Sequence, residues 1–476
     1  MNRRFRRALA ASLLVVAIVA VSAAWAGQPK AKNIILMISD GCGYNSVAAA
    51  GYYQHGQLGK QPYDSFPARF ACTTYALKAD GSPQGYDPVR MWADFDYARS
   101  CPRTDSAAAA TALMTGTKTV SGRICTDISD KPLTTIGQLA DAAGKSTGAV
   151  TTVQFSDATP ACVWAHNRSR GNTADIAKEM VYQSDLDVIM GAGHPDFDNN
   201  GKSSARKSFQ AVGGDQTWAD MTDSDGANGF TLVQTKAEFQ ALATGMKALP
   251  RKVIGVAQVS DSLQCYRDGK DMGRLNDNVP DLATMAKAAI NVLSQDGDGF
   301  FVMIEGGAID KASHSNNLPR MIEEEADFNK AVEAVVQWVE QKSNWNETLL
   351  IVTADHETGM LWGSGTFDDK NGDGKYTPGT DAFKTWAPVR NAGVGVVPGC
   401  QYCSGDHTDF PVPLYAKGPG SELFAALVDG KEPVYGQYVD DTDVFTVMDA
   451  VLTGQAVGRS GPSTAAASAP VAAGAN

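Results

Sequence analysis

Three short segments of the chain combine carboxylates with imidazoles. They are the run from Glu305 through Asp310 to His314, the pair Asp355-His356 and the pair Asp406-His407. Only six histidines occur in the whole chain, and three of them lie in these segments. Asp310 and His314 are four residues apart, so a single helical turn places both on one face. Oxygen and imidazole ligands from several segments are what a hydrolytic zinc site requires, and we therefore predict a metal site here.

A serine stands at the start of an alanine-rich helical pattern. Ser106 follows Thr104 and Asp105 and precedes a run of alanines. One interpretation is a helix N-cap, a position that Ser, Thr and Asp all favour. The other is a nucleophile, because the free N–H groups of a helix N-terminus attract phosphate and a neighbouring metal would ionise the hydroxyl.

Apolar runs with strand character alternate with helical patterns along the chain. The predicted strands are Lys32–Ser39, Gly148–Gln154, Leu186–Met190, Phe300–Ile304 and Leu349–Thr353, and the predicted helices are Asp105–Thr115, Leu282–Leu293 and Met321–Val339. This alternation is typical of an α/β fold with a largely parallel central sheet flanked by helices on both faces. In such sheets ligands bind beyond the carboxyl ends of the strands. The acidic residues that fall there are Asp40, Asp157, Glu305 and Asp355.

His407 stands in a different relation to its strand. It precedes the apolar run Phe410–Ala416 instead of following one. If His407 joins the same site, this strand must enter from the site edge of the sheet. We therefore expect it to run antiparallel to its neighbours.

Together these motifs make the chain resemble the alkaline phosphatases. The shared motifs follow the family's order over roughly residues 32–455 and are Ser39-Asp40-Gly41, Thr104-Asp105-Ser106-Ala107, Asp157-Ala158-Thr159-Pro160, His166 to Arg170, Glu305 to His314, Asp355-His356 and His407-Thr408. The resemblance implies the family's α/β fold and the hydrolysis of phosphate monoesters through a phosphoserine. It also implies two zinc ions, one magnesium ion, an exported protein and a homodimer.

The resemblance also implies a role for each matching residue. The implied ligands are Asp310, His314 and His407 for the first zinc, Asp40, Asp355, His356 and the Ser106 oxygen for the second zinc, and Asp40, Thr159 and Glu305 for magnesium. Arg170 resembles the arginine that grips the phosphate, and Asp105 resembles the aspartate that positions it. Asp157 and Lys311 match a polar pair around the third metal, and Asp157 is counted with the metal-site residues. An inward Lys311 is expected to pair with Asp157 and to reach phosphate through water.

Two other functions stay open on the sequence alone. A sulfatase of the same scaffold needs a modified residue in Cys-x-Pro-x-Arg, whereas Cys101-Pro102-Arg103 has a different spacing. A phosphodiesterase of this scaffold generally uses Thr where this chain has Ser106. A protein that binds metal or phosphate without turnover would lack Ser106 or Arg170, and both are present.

The N-terminal residues 1–26 predict a secretory signal. Four arginines precede an apolar stretch that ends in an Ala-x-Ala cleavage site, with an uncleaved membrane anchor as the alternative. We therefore predict a periplasmic or secreted protein, with no membrane span after cleavage. Removing four of the 41 basic residues leaves 37 against 53 acidic ones, a formal charge of −16. Such a surface offers no basic stripe for nucleic acid, and the predicted partners are small phosphate monoesters.

Candidate ligands come from both halves of the chain, so we expect one catalytic domain over residues 27–459. Segments near 193–226 and 363–403 are rich in Gly, Asp, Asn and Ser and predict irregular surface insertions. Each contains a fragment similar to a calcium loop, but the glutamate at the twelfth position is missing, which favours ordinary acidic turns. Residues 460–476 are rich in Ala, Ser, Pro and Gly and are predicted to be disordered.

Eight cysteines suit an oxidising compartment, where disulfides persist. Cys400-x-x-Cys403 favours a tight local disulfide, because no thioredoxin-like pattern surrounds it and a zinc ribbon would need a second such pair. Cys42 is expected to be a small buried residue or a disulfide partner. The sequence leaves the pairing of the cysteines open.

Overall fold

A central sheet organises the chain. The computed structural model describes residues 29–101, 103–245, 248–269 and 272–457. The strands in this part of the chain are β1 Asn33–Ser39, β2 Ala68–Thr73, β3 Ser146–Gln154, β4 Val188–Ala192, β5 Thr231–Val233, β6 Val253–Val256, β7 Phe300–Gly306, β8 Thr348–Thr353, β9 Glu357–Thr358, β10 Leu361–Gly363, β11 Cys400–Tyr402, β12 His407–Thr408, β13 Val412–Lys417, β14 Gly430–Glu432 and β15 Gly436–Asp440.

Helices cover both faces of this sheet. The α-helices of the described residues are α1 Tyr44–His55, α2 Arg90–Ala93, α3 Phe95–Ser100, α4 Ser106–Thr115, α5 Ile136–Ala142, α6 Ala158–Ala161, α7 Thr173–Tyr182, α8 Asp215–Thr222, α9 Lys236–Thr244, α10 Leu282–Leu293, α11 Ala308–His314, α12 Leu318–Lys342 and α13 Thr442–Thr453. Short 3-10 helices occur at Gln210–Val212, Ala227–Gly229 and Ser421–Ala426.

Eleven of the described strands form one sheet in the order β14-β15-β2-β13-β8-β1-β7-β3-β4-β6-β5. The seven strands from β8 to β5 in this order run parallel. β1, β7 and β8 are buried along their whole length, as expected for strands covered on both faces by helices. The prediction of a largely parallel sheet flanked by helices is confirmed.

The register of the central strands brings their carboxyl ends together. Ile38 near the end of β1 pairs with Glu305 in β7 and with Thr353 at the end of β8. Thr151 in β3 also pairs with Glu305. The residues that follow these strands therefore leave the sheet at one edge.

β13 confirms the expectation for the strand after His407. It lies beside β8 and runs antiparallel to it, with Tyr415 opposite Val352. The chain therefore enters this strand from the edge where the neighbouring strands end. His407 itself lies in β12, a two-residue strand that pairs antiparallel with β9 just beyond the sheet.

Each predicted helix and strand is present, with small differences at the ends. The helix predicted over Leu282–Leu293 has these bounds as α10. The helix predicted over Met321–Val339 is longer, because Asn317 caps α12 by accepting a hydrogen bond from the backbone N–H of Arg320. The short strands β2, β5 and β6 were missed, since three to six residues carry little periodicity of their own.

The segment over residues 363–403 is irregular, but part of it packs around a second apolar cluster. This aromatic cluster contains Trp362, Phe367 and Trp386 together with Trp92 and Phe95 from the region before Ser106. The indole rings of Trp92, Trp362 and Trp386 contact one another at centroid distances of 4.8–6.1 Å. The segment therefore has a core of its own, which its composition did not indicate.

The two calcium-loop-like fragments form hydrogen-bonded turns. Asp198 accepts backbone hydrogen bonds from Asn200 and Lys202, at 2.8 and 2.9 Å. Asp369 accepts from Gly372 and Gly374, at 2.7 and 2.8 Å. This is how an aspartate stabilises an ordinary turn.

The predicted signal over residues 1–26 and the predicted disordered tail over 460–476 lie outside the described residues. Within the described part of the chain, none of the helices combines the length and the apolar character that crossing a bilayer requires.

Candidate active site

Asp310, His314 and His407 form a three-ligand group at the carboxyl edge of the sheet. Asp310 Oδ1 lies 3.3 Å from His314 Nε2 and 3.4 Å from His407 Nε2. The two Nε2 atoms lie 3.0 Å apart. Ligands about 2 Å from a tetrahedral zinc ion are separated by about 3.3 Å, so these three atoms could share one ion.

Backbone carbonyls fix the orientation of both imidazole rings in this group. Nδ1 of His314 lies 2.7 Å from the carbonyl oxygen of Gly405, and Nδ1 of His407 lies 2.9 Å from that of Thr104. A carbonyl oxygen only accepts hydrogen bonds, so each Nδ1 carries the proton and each Nε2 keeps its lone pair. This tautomer is the one that a metal-binding histidine needs.

A second group surrounds His356. Its Nε2 lies 3.3 Å from Asp355 Oδ2 and 3.7 Å from Asp40 Oδ1. Ser106 Oγ lies 3.2 Å from the same nitrogen. Asp105 caps α4 through a 3.0 Å bond from the backbone N–H of Ala108, and so holds Ser106 at the first position of the helix. The N-cap is therefore Asp105, so the interpretation of Ser106 as a cap is wrong, and Ser106 stands at the first helical position with its Oγ beside His356.

The buried carboxylates of the site lack hydrogen-bond partners for part of their oxygens. Asp40 Oδ1, Asp355 Oδ2 and Glu305 Oε1 are enclosed and accept no hydrogen bond from the described residues, although His356 lies near the first two. Burial, helped by neighbouring carboxylates, raises the pKa of Asp40 well above its ordinary value, that of Glu305 to about 8 and that of Asp355 to about 6. Several buried carboxylates with unsatisfied oxygens lie close together, an arrangement that bound cations would stabilise. The set of donors therefore fits metal ions.

Glu305 belongs to a third group of oxygen donors. The Thr151 hydroxyl donates a hydrogen bond to Glu305 Oε2, and the Thr159 side chain lowers the pKa of this carboxylate against the effect of burial. Thr159 is buried in α6, and the charge of Glu305 helps to raise the pKa of Asp40 in the second group. A set of hard oxygen donors of this kind suits magnesium.

Arg170 lies between two carboxylates. Its Nη1 donates to Asp105 Oδ2 at 3.1 Å, and its Nη2 donates to Asp157 Oδ1 at 3.0 Å. Burial alone lowers the pKa of Arg170, but Asp157 and Asp105 outweigh burial and raise it. Asp105 Oδ1 is in turn held by the backbone N–H of Gly122 at 2.9 Å. The guanidinium is thus held in one orientation before any phosphate binds.

Lys311 points inward and pairs with Asp157, as predicted. Its Nζ lies 3.4 Å from Asp157 Oδ2 and 3.5 Å from Asp310 Oδ2, and its side chain is 19% exposed. Burial lowers the pKa of Lys311, whereas Asp157, Asp310 and Asp40 raise it well above its usual range. Asp157 forms ion pairs with Lys311 and Arg170, and these two cations lower its pKa to about 2 although burial raises it.

Thr151 and Thr358 take part in the site but were missed in the sequence. Thr358 Oγ1 donates to Asp310 Oδ1 at 2.7 Å and lies 3.2 Å from His356 Nδ1. It therefore connects the two predicted zinc groups. The position of Thr358, two residues after His356, is a weak signal that could have been noticed. Thr151 carries no such signal, since it stands inside an ordinary apolar strand.

The fold and this cluster of carboxylates and imidazoles have the features expected of a metal-dependent hydrolase. The model of the alkaline phosphatase family matches residues 31–389. The chain belongs to the alkaline phosphatase family, whose members hydrolyse phosphate monoesters, and it is an enzyme of this kind. His407 lies beyond the matched range, so its place in the site depends on the structure.

Individual relatives agree with this assignment. The chain is 33% identical to the alkaline phosphatase of Escherichia coli (strain K12) over 363 residues, which cover 68% of this chain and 70% of that protein. It is 29% identical to streptomycin-6-phosphate phosphatase of Streptomyces griseus over 487 residues, 94% of this chain and 97% of the relative. A crystal structure of a cold-active alkaline phosphatase from Shewanella sp. is similar with a TM-score of 0.61 and 26% identity, covering 88% of this chain and 99% of that one.

Proposed function

We propose that the chain hydrolyses phosphate monoesters through a phosphoserine at Ser106, with two zinc ions and one magnesium ion. The observation that carries this proposal is the position of Ser106 Oγ, 3.2 Å from His356 Nε2 at the N-terminus of α4. Asp105 caps this helix and also accepts a hydrogen bond from Arg170, so we expect the serine hydroxyl, the helix N-terminus and the guanidinium to contact the same phosphate.

The proposed ligands follow the three groups of the site. The first zinc ion would be held by Asp310, His314 and His407, and the second by Asp40, Asp355, His356 and Ser106. The magnesium ion would be held by Asp40, Thr159 and Glu305. Bound metal ions supply positive charge that polarises phosphoryl oxygens and offsets the charge of the attacking and departing oxygens. Asp157 contributes at the edge of the magnesium group, through its pairing with Arg170 and Lys311.

The side chains of the protein bind and orient the ester. Arg170 presents two N–H groups to two phosphoryl oxygens, a geometry that suits its planar fork. The backbone N–H groups that begin α4 add further donors and the positive end of the helix dipole. Ser106 Oγ then attacks phosphorus opposite the departing alcohol, and water cleaves the phosphoserine in a second step.

Comparison of three aryl esters tests this function. The purified chain, supplied with zinc and magnesium, is given 4-nitrophenyl phosphate, bis(4-nitrophenyl) phosphate and 4-nitrophenyl sulfate. The monoester is expected to have the highest kcat/KM. A preference for the diester would identify a phosphodiesterase, and a preference for the sulfate ester would identify a sulfatase. Binding of phosphate without turnover of any ester would identify a binding protein.

Arg170→Ala is expected to weaken phosphate binding more than it slows turnover at saturation. An arginine fork grips oxygens that exist in the ground state and in the transition state alike, so its loss is largely a loss of uniform binding. KM and the inhibition constant for inorganic phosphate should therefore rise more than kcat falls. Arg90→Ala is the control, since Arg90 forms an exposed pair with Asp94. An unchanged inhibition constant in Arg170→Ala would show that Arg170 does not hold phosphate.

Lys311→Ala is expected to release phosphate more readily. Lys311 Nζ lies 3.4 Å from Asp157 Oδ2, and we expect its ammonium group to add positive charge near the bound product. The inhibition constant for phosphate should rise, and turnover at alkaline pH should rise with it where product release limits the rate. Lys178→Ala, which removes an exposed lysine on α7, is the control. Equal constants in the wild type and Lys311→Ala would refute this role.

We also propose that residues 27–459 act as one catalytic domain in an exported homodimer. Support comes from ligands that span residues 40 to 407 and from the secretory pattern of residues 1–26. N-terminal sequencing of the protein recovered outside the cytoplasm, together with light scattering in solution, tests both parts. A chain that begins at Met1, or a monomeric mass, would contradict the corresponding part.

A further inference from the structure

Two cysteines lie in contact beneath the candidate site. The Cys125 thiol donates a hydrogen bond to the backbone carbonyl of Cys162 at 3.2 Å. Thr111 Oγ1 touches both residues, because it accepts from the backbone N–H of Cys125 at 3.0 Å and lies 3.7 Å from Cys162 Sγ. Both cysteines are 0% exposed. Residues far apart in sequence thus hold their sulfur atoms in one buried space.

The Cys162 thiol also affects the ionisation of Cys125. Burial raises the pKa of Cys125 well above its ordinary value, and contact with the Cys162 thiol adds to this rise. The pair Cys400 and Cys403, which the sequence favoured for a disulfide, differs in this respect. Burial raises the pKa of both thiols, and neither thiol contributes to the shift of the other. All eight cysteines are free thiols in the structure, so the contact of Cys125 with Cys162 is what distinguishes one pair.

Each cysteine belongs to a segment that holds part of the site. Cys125 follows Gly122, whose N–H donates to Asp105 and whose carbonyl accepts from the backbone N–H of Arg170 at 2.7 Å. Cys162 ends α6, the helix that contains Thr159. A covalent bond between the two cysteines would therefore join the segment that orients Arg170 to the helix that presents Thr159.

We propose that Cys125 and Cys162 form a disulfide in the exported protein. As the Sγ–Sγ bond forms, the two thiols lose two protons and two electrons, and the electrons reduce a disulfide oxidant to two thiols. Both thiols are buried and the pKa of Cys125 is raised, so the folded protein would oxidise slowly, and the bond forms during folding, before the site closes over the pair. Once formed, the bond restricts the conformations that the unfolded chain can adopt between residues 125 and 162, and it thereby stabilises the folded state.

A peptide map of the wild type provides the direct test. The full chain is exported to an oxidising compartment or refolded with a mixture of oxidised and reduced glutathione, then unfolded in the presence of an alkylating reagent without reductant. We expect one cross-linked peptide that contains Cys125 and Cys162 and disappears on reduction. Recovery of both cysteines as alkylated thiols, or of either one linked to a different cysteine, would overturn the proposal. This test requires no variant to fold.

The thermal stability of matched variants provides a second test. Reduction during unfolding should lower the Tm of the wild type by several degrees. Cys125→Ala should show a lower Tm that no longer responds to reductant. Cys72→Ala is the matched control, because Cys72 is also 0% exposed and lies in β2. It should keep the response of the wild type. An equal response to reductant in Cys125→Ala and Cys72→Ala would refute the proposed pair.

Discussion

Replacement of Ser106 by alanine is expected to lower kcat by at least about 10³-fold while the metal ions stay bound. Ser106 is the hydroxyl that begins α4, and its Oγ lies 3.2 Å from His356 Nε2. Its removal ends the covalent route, whereas the other proposed zinc ligands keep their positions. Any residual hydrolysis would come from direct attack of water on the ester.

Trapping of the intermediate distinguishes this loss from a structural effect. Acid quenching of the wild type with labelled inorganic phosphate should yield phosphoserine in the peptide that contains Ser106, and the variant should yield none. Ser184→Ala is the matched control, because Ser184 is also buried. It follows the end of α7, and its hydroxyl donates a hydrogen bond to the backbone carbonyl of Met180 in that helix. Near-normal turnover in Ser106→Ala, with normal metal content, would exclude Ser106 as the nucleophile.

Chelation is expected to abolish activity and to lower the Tm by roughly 5 °C or more. The ligands come from segments around residues 40, 159, 305–314, 355–356 and 407, and their carboxylates repel one another without bound cations. Zinc should restore most of the activity, and magnesium should increase it further. Elemental analysis of the purified protein measures the number of each ion. Full activity in a sample free of metal would contradict the proposed mechanism.

The stability of the metal-free protein should also depend on pH in a defined direction. Burial raises the pKa of Glu305 to about 8 and that of Asp355 to about 6 in the folded state. The folded protein then binds more protons than the unfolded chain between about pH 4.5 and 8, so its stability falls as the pH rises through this window. Bound metal ions hold the same carboxylates ionised, so the fall should be smaller in the metal-loaded protein. Parallel Tm measurements from pH 5 to 8.5 test the difference, and identical slopes with and without metal would contradict it.

The sequence by itself determined the architecture at the centre of the molecule. Apolar runs such as Lys32–Ser39 and Leu349–Thr353 are typical of buried strands, and an acidic residue follows each of them within two positions. The position of His407 before its strand was enough to predict that β13 runs antiparallel. These features are local in sequence, because each depends on composition over fewer than ten residues.

Only the tertiary structure decided which side chains touch. The tautomers of His314 and His407 depend on the carbonyls of Gly405 and Thr104, which come from distant segments. The bonds of Thr358 to Asp310 and of Thr151 to Glu305 arise in the same way, because neither threonine differs in its sequence context from a threonine without a role. The cysteines illustrate the same limit, since sequence spacing favoured Cys400 with Cys403, whereas packing brings Cys125 to Cys162. Sequence spacing constrains only neighbours along the chain, and contacts at the level of a few ångströms depend on how whole elements pack.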